Sequence, residues 1–382
     1  MALILFLAAA ASVLYVMFGY PLLLAVLCAI RRPAFVKTAG IHPSVSVILP
    51  VRNGARWITA KLDSILALDY PRDLLQVIVI DDGSSDGTAT LAESVAGVEV
   101  IRVPAGGKAV ALNAGMARAT GDVLFFTDVR QALDPKSLSS LVSHLADPSV
   151  GVVSGELEIL EGATREEADV GLYWRYEKWI RKRLSQLDSV MGATGCIYVM
   201  RRALAVPLPA GLLVDDMYLP LAAFFQGYRV IFDERAKAFD QPTGLGSEFG
   251  RKVRTLAGNL EIIRAYPRLL LPTTRMWAHF MSHKVGRLLL PWALLAMIGL
   301  TPLLPYPWGG MAAASQLLFY GSAALDVIVP QHSPVKRATS IARTFVVMMA
   351  AALAAARYLL PGTKDYWRLA VPGKADIPPS GR

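Results

Sequence analysis

The chain has 382 residues, of which 54% are hydrophobic and only 18% charged, with a formal charge of +9. That balance is too apolar for an ordinary soluble enzyme and calls for membrane segments, while the cationic excess fits cytoplasmic flanks and anionic lipid contact. No basic-plus-aromatic motif of nucleic-acid binding stands out, and Cys28, in an apolar run, and Cys196, in an expected cytosolic strand, predict neither a disulfide nor a cysteine metal site.

Residues 3–30 are almost wholly apolar and end in Arg31-Arg32. The run is too long for a signal-peptide core, and its positive charges follow rather than precede it. Residues 1–32 therefore read as a transmembrane anchor with its N-terminus outside and the arginines in the cytoplasm.

A cytosolic domain is expected over 43–265. Short apolar runs predict strands at 45–51, 77–80, 98–103, 123–127, 150–154, 197–200 and 229–232. Helices are expected near 55–67, 87–96, 108–119, 136–146, 166–187 and 216–226, with Asp134-Pro135 as N-cap and first helical residue of the fourth. The opening βαβα order predicts an α/β fold with a mostly parallel sheet. An interfacial linker over 266–284 leads to membrane helices at 285–361, two or three spans drawn from 288–304, 311–329 and 344–360, the last interrupted by Arg357. His283, Lys284 and Arg287 before the first, and Lys336, Arg337 and Arg343 before the last, suit the cytoplasmic side. Asp326 either lines a path or snorkels. Residues 362–382 form a C-terminal tail.

The most informative stretch is Val77-Ile78-Val79-Ile80-Asp81-Asp82-Gly83-Ser84-Ser85-Asp86-Gly87-Thr88. A buried strand ends in two carboxylates, and Asp86 is placed to cap the next helix. Ligands of open α/β sheets bind outside the carboxyl ends of the strands. Carboxylates do not bind phosphate directly, so Asp81 and Asp82 are expected to meet a sugar hydroxyl, a base edge or a metal. In Pro50-Val51-Arg52-Asn53-Gly54, Asn53 either caps the next helix or touches ligand, and Arg52 stands beside it. Gly106-Gly107-Lys108 opens a helix with free N–H groups and a cation, an arrangement that suits an anion. Phe125-Phe126-Thr127-Asp128-Val129-Arg130 again ends a strand in an acid. Arg130 either pairs with phosphate or salt-bridges Asp128. Asp215-Asp216 opens a helix, where acids cap and also suit a general base, with Asp216 favoured. Glu248 to Thr255 sets Arg251, Lys252 and Arg254 on one helix, either for lipid headgroups or for a leaving diphosphate. The aromatic and cationic run Leu172 to Ile180 packs, meets the membrane interface or lines an acceptor path.

In this order, the residues resemble glycosyltransferase family 2, in its membrane-bound branch of hyaluronan, chitin and cellulose synthases and related bacterial exopolysaccharide enzymes. The resemblance covers about residues 44–260 and rests on Asp81 to Thr88 combined with Lys108 and Asn113. It implies a GT-A fold, a Rossmann-like sheet, with transmembrane helices at both ends. It implies an inverting hexosyltransferase in the bacterial inner membrane, moving sugar from a nucleotide-diphosphate donor, UDP-linked by the match, to a saccharide or lipid-linked acceptor. By the same resemblance Asp81 and Asp82, with Arg52, Lys108, Asp128 and Arg130, form the donor side. Asp128 matches the first acid of an Asp-x-Asp motif for Mg2+ or Mn2+, and Arg130 replaces the second. Asp216 matches the catalytic base, with Asp215 in the Glu position of Glu-Asp. Gly195 borders the acceptor. Arg251, Arg254 and Thr255 stand where the family has Gln-x-x-Arg-Trp, so the tryptophan of processive synthases is replaced. Gly54 stands where the family often has Glu. Single transfer to a lipid or polyprenyl phosphate, and a non-catalytic nucleotide-sugar-binding subunit, are the alternatives.

Overall fold

The computed structural model describes residues 1–31, 34, 36–160, 165–241, 245–330 and 333–359, without the side chains of 165–174 and 245–248. Arg32, the 362–382 tail and the side chains of Leu172, Tyr173, Trp174 and Glu248 therefore lie outside the described residues. The chain divides into two compact units.

The first unit, Val26–Leu160 with Glu177–Gln241, holds an eight-stranded sheet. Its strands are β1 (Val45–Val51), β2 (Leu75–Asp82), β3 (Val98–Val103), β4 (Val123–Thr127), β5 (Ala132–Leu133), β6 (Val150–Ile159), β7 (Ile197–Arg201) and β8 (Arg229–Asp240). All the expected strands form; β2 runs longer at both ends, β6 and β8 run longer at their C-terminal ends, and the two-residue β5 is added. The order is β3-β2-β1-β4-β7-β6-β8-β5. Strands β1 to β4 are mutually parallel, which leaves the crevice of a reversed winding at the carboxyl ends of β1 and β4. The sheet is mostly parallel, but β7 lies antiparallel between β4 and β6. Because Thr127 pairs with Ile197, β7 begins where β4 ends. The turn before β7 thus meets the end of β4. Phe126 and Tyr198, partners in that register, stack with ring centroids 4.7 Å apart in the core.

The second unit is helical and comprises Met1–Ala25, Glu161–Tyr176 and Pro242–Arg382. The helix Leu245–Ala265, counted with the sheet domain from sequence, falls in this unit. Three helices are long and apolar enough to cross a membrane: Ala2–Ile30, Trp277–Leu303 and Lys336–Leu359. The second starts ahead of the apolar run expected from 288, so His279, His283 and Lys284 lie within it. Trp308–Leu325 is helical but does not reach that apolarity. Where the first two helices pack, a Cβ on Gly286 would lie 2.9 Å from Val16 Cγ2, so a larger residue there would force Val16 to shift. Asp326 neither lines a path nor snorkels: it is 1% exposed, 3.1 Å from Lys336 Nζ and 3.4 Å from Arg343 Nη1, and accepts from Thr339 Oγ1 at 2.7 Å.

Candidate active site

The loops after β1 and β2 are stitched together by the residues that made the Asp81 to Thr88 stretch conspicuous. Asn53 N donates to Ser84 Oγ at 2.9 Å, Ser85 N to Asn53 Oδ1 at 2.9 Å, and Gly54 N to Thr88 Oγ1 at 2.8 Å. Asn53 holds φ +51°, a conformation asparagine tolerates, and it does not cap the helix Ala55–Leu66. Asp86 does that: its Oδ2 accepts from Ala55 N at 2.9 Å, and its Oδ1 from Thr88 N at 3.1 Å, so one carboxylate serves two helix starts. Arg52 is exposed in this loop. Asp134 also falls short of capping: the helix begins at Ser137, and Asp134 Oδ1 accepts from Lys136 N at 2.9 Å.

Neighbouring residues on a strand point to opposite faces, and Asp81 and Asp82 part accordingly. Asp82 Oδ1 accepts from Gly106 N at 2.7 Å, and Oδ2 from Gly107 N at 3.0 Å. This corrects two expectations. The Gly106-Gly107 N–H groups are not free for an anion, and Asp82 spends its carboxylate orienting that turn. Gly83 completes it, with φ +65° and room for a Cβ only 2.9 Å from Ala105 N. Asp81 Oδ2 accepts from Ser84 N at 3.2 Å, while its Oδ1 is buried without a hydrogen-bond partner among the described residues. A buried carboxylate oxygen left bare is costly, and the position suits an N–H or O–H donor from a ligand.

The oriented glycine turn aims Lys108, the first residue of its helix, into the crevice. Its Nζ lies 3.0 Å from Asp128 Oδ1 and 3.2 Å from Asp215 Oδ2. Burial alone lowers a lysine's pKa, but Asp128, Asp215 and Asp216 outweigh it and drive this one well up, so Lys108 stays an ammonium. Asp216 is half-buried beside the turn before β7. Ala193 N donates to the Asp216 carbonyl at 2.7 Å, and a Cβ on Gly195 would stand 3.1 Å from Asp216 Oδ2. Five residues singled out from sequence, Lys108, Asp128, Asp215, Asp216 and Gly195, thus meet in one place.

Arg130 does not join them and does not salt-bridge Asp128. It turns to Asp240 Oδ2 at 2.5 Å, an acceptor shared with Gln131 Nε2 at 2.7 Å. Arg251 and Arg254 lie on the helix Leu245–Ala265 of the helical unit, where Thr255 Oγ1 donates back to the Arg251 carbonyl at 2.9 Å.

Three contributors were not foreseen. Arg181 Nη1 donates to Thr194 Oγ1 at 2.7 Å and Nη2 to the Gly192 carbonyl at 3.1 Å, bracing the turn beside Asp216; its guanidinium sits 5.2 Å over the Phe232 ring. Tyr198 has a buried hydroxyl without a hydrogen-bond partner among the described residues, and its pKa is raised by burial and then by Asp215, Asp216 and Asp128. Lys61 is buried in the helix Ala55–Leu66; burial lowers its pKa to about 7, against the opposing pull of Cys196 and Asp128. The signal for Lys61 was present: Ile58, Lys61, Leu62 and Ile65 make one i, i+3, i+4, i+7 stripe.

Among the described residues no three acids, histidines or cysteines gather into a metal cage. Asp128 alone fits a divalent cation of the diphosphate-bound kind. Its side chain is 38% exposed, and its Oδ2 has no hydrogen bond among the described residues. Such ions take one or two carboxylates and complete their shell with phosphate oxygens and water.

Comparison with known proteins agrees with this layout. Residues 46–206 match the family model Glycosyl transferase family 2. The probable glycosyltransferase YdaM of Bacillus subtilis is 27% identical over 216 residues, 52% of this chain and 51% of that one. The poly-beta-1,6-N-acetyl-D-glucosamine synthase of Staphylococcus aureus is 23% identical over 229 residues, 57% of this chain and 55% of that one. The match thus spans about half the length of each of these relatives. The mannosyltransferase PcManGT from Pyrobaculum calidifontis, solved in complex with GDP-Man and Mn2+, superposes with a TM-score of 0.73 at 24% identity, covering 94% of this chain and 99% of that one, and shares its GT-A fold. By family model, residues 46–206 form a glycosyltransferase domain of family 2, and the glycosyltransferase relatives and the GT-A fold agree with it.

Proposed function

We propose that the chain moves a sugar, with inversion at the anomeric carbon, from a UDP-linked or other nucleotide-diphosphate donor to a saccharide or lipid-linked acceptor, in extracellular polysaccharide or glycolipid synthesis at the inner face of a bacterial membrane. The observation that carries this reading is the convergence of Lys108 on Asp128 and Asp215 with Asp216 alongside, at strand and helix ends around one crevice. The S. aureus relative, by its name a polysaccharide synthase, supports the saccharide acceptor.

In this reading Asp81 Oδ1 accepts from the base or ribose of the donor, and Asp82 acts through the glycine turn. Asp216 takes the proton of an acceptor hydroxyl, whose oxygen attacks the anomeric carbon in line with departure of the diphosphate. An α-linked donor then gives a β-linked product. Lys108, held between two acids, turns its charge onto the departing diphosphate. Asp128 would hold Mg2+ or Mn2+, which when bound would offset charge on the same group, a use of metal in keeping with the P. calidifontis enzyme's complex with GDP-Man and Mn2+. For Arg52, Arg251 and Arg254 the assigned roles rest on the sequence resemblance alone. Residues 43–265 are the transferase region in this scheme, with membrane helices before and after it.

A second reading is transfer of one sugar to a lipid or polyprenyl phosphate. Thr255 favours it: this residue folds its hydroxyl onto its own helix and offers no aromatic platform where processive synthases carry tryptophan. A donor screen with membranes containing the chain, reading nucleotide release and product mass, separates the two. A polymer supports the first, one sugar on lipid the second, and donor binding without hydrolysis or transfer overturns both in favour of a nucleotide-sugar-binding subunit. Full rate in chelator would remove the cation.

A further inference from the structure

Lys61 lies on the core face of its helix, 2% exposed, among Ile58, Leu62 and Ile65. Burying an amine in such a stripe is unfavourable, and leucine or methionine would pack there without that cost. The amine nonetheless makes two hydrogen bonds. Its Nζ donates to Thr127 Oγ1 at 2.6 Å and to the Gln131 carbonyl at 2.6 Å. Those two acceptors bracket the segment that presents Asp128. Thr127 Oγ1, having accepted from Lys61, donates to the Cys196 carbonyl at 2.8 Å. Cys196 follows Gly195, against which the Asp216 carboxylate rests. At the other end Gln131 binds Asp240, which also holds Arg130 away from Asp128. One amine therefore ties both ends of the Asp128 segment and, through one hydroxyl, the turn that supports Asp216.

We propose that Lys61 is a positioning residue for sugar transfer, setting the 127–131 segment and the Gly195-Cys196 turn in a single register from beneath the crevice. The proposal rests on the reading of Asp128 and Asp216 as the working acids. Lys61 touches neither donor nor acceptor and acts through Thr127 and Gln131.

The test uses the full chain in nanodiscs, with Lys61→Met and Thr127→Val. Valine keeps the shape of threonine and removes the hydroxyl that links the two segments. Three quantities are read: Mn2+ affinity in the presence of nucleoside diphosphate by electron paramagnetic resonance, amide hydrogen exchange, and kcat with donor KM. Lys61→Met is expected to weaken Mn2+ binding about tenfold or more, as loss of a ligand-orienting partner does. Exchange should quicken in 127–131 and 192–196 while β1 and β2 keep their protection, and kcat should fall about 10- to 100-fold. Thr127→Val should move the same readouts in the same direction by less. The proposal is overturned if both variants keep wild-type Mn2+ affinity and exchange in those two segments, or if exchange quickens equally across the whole sheet. Should Lys61→Met fail to fold, Thr127→Val decides alone. Should the wild type transfer no sugar from any donor, the proposed function fails, while exchange in the two segments still decides the coupling.

Discussion

Two lysine–carboxylate clusters in this chain have the same chemistry and opposite exposure. In the sheet unit Lys108 bridges Asp128 and Asp215, with Asp216 close by and coupled to Arg181, and its side chain is 25% exposed and that of Asp128 38%. In the helical unit Asp326 stands against Lys336 and Arg343, one acid for two cations, with Asp326 and Lys336 only 1% and 3% exposed. The sealed cluster is saturated: Asp326 also accepts from Thr339, and the Lys336 amine donates to the Asp326 carbonyl at 2.6 Å. The open cluster reaches solvent, and Asp128 has a carboxylate oxygen without a hydrogen bond among the described residues. A fully satisfied buried ion network specifies structure, whereas a solvent-reaching one at the mouth of a crevice is equipped to exchange partners with a ligand.

Four substitutions test that contrast, from the largest expected effect downward. Asp216→Asn should cut transfer by about 10³-fold while donor binding by calorimetry persists, as loss of a general base does; retained turnover would remove Asp216 from that role. Asp326→Asn should act on stability instead. Leaving Lys336 buried without its counter-charge should cost about 3–5 kcal/mol, read as a lowered thermal midpoint, with kcat/KM of the folded fraction unchanged. If kcat/KM fell and the midpoint held, the sealed cluster would be functional and the contrast broken. Lys108→Met should lower donor kcat/KM by about 10²-fold, the loss of one preorganised donor to the leaving group. A drop in thermal midpoint without a kinetic effect would instead make Lys108 a structural ion pair like Lys336. Gly195→Ala is the mildest. Its Cβ would press on Asp216 Oδ2 from 3.1 Å, so kcat should fall roughly tenfold at constant donor KM. An unchanged kcat would show that Asp216 can shift without consequence.

Much of the site was legible because it sits where strands and helices end. Asp81, Asp128, Lys108 and Asp215 are each readable as the residue at which an apolar run stops or a helix starts, and strand ends face the crevice in this class of sheet. Which end residues work and which brace was not legible. Asp82 looked as available as Asp81, yet its carboxylate is taken by two backbone N–H groups 24 and 25 residues away. Ser84, Ser85, Asp86 and Thr88, the most recognisable part of the motif, secure the loop after β1. Arg130 found a partner neither expectation included, because Asp240 lies 110 residues on, at the end of a strand that runs much farther than its apolar core.

What the amino-acid order determined by itself was set by near neighbours: β-branched runs that form buried strands, apolar stretches long enough to cross a membrane, and acids, glycines and a lysine at their ends. These follow from periodicity and from backbone preferences acting over a few residues. What the tertiary structure alone decided was partnership. The antiparallel insertion of β7 beside β4 brings Gly195 and Cys196 to Thr127 and Asp128. The inward turn of Lys61 ties that meeting point together, and the long reach of β8 draws Arg130 away from it. Hydrogen bonds and ion pairs between residues tens to more than a hundred positions apart depend on strand order and register, and no local pattern encodes those.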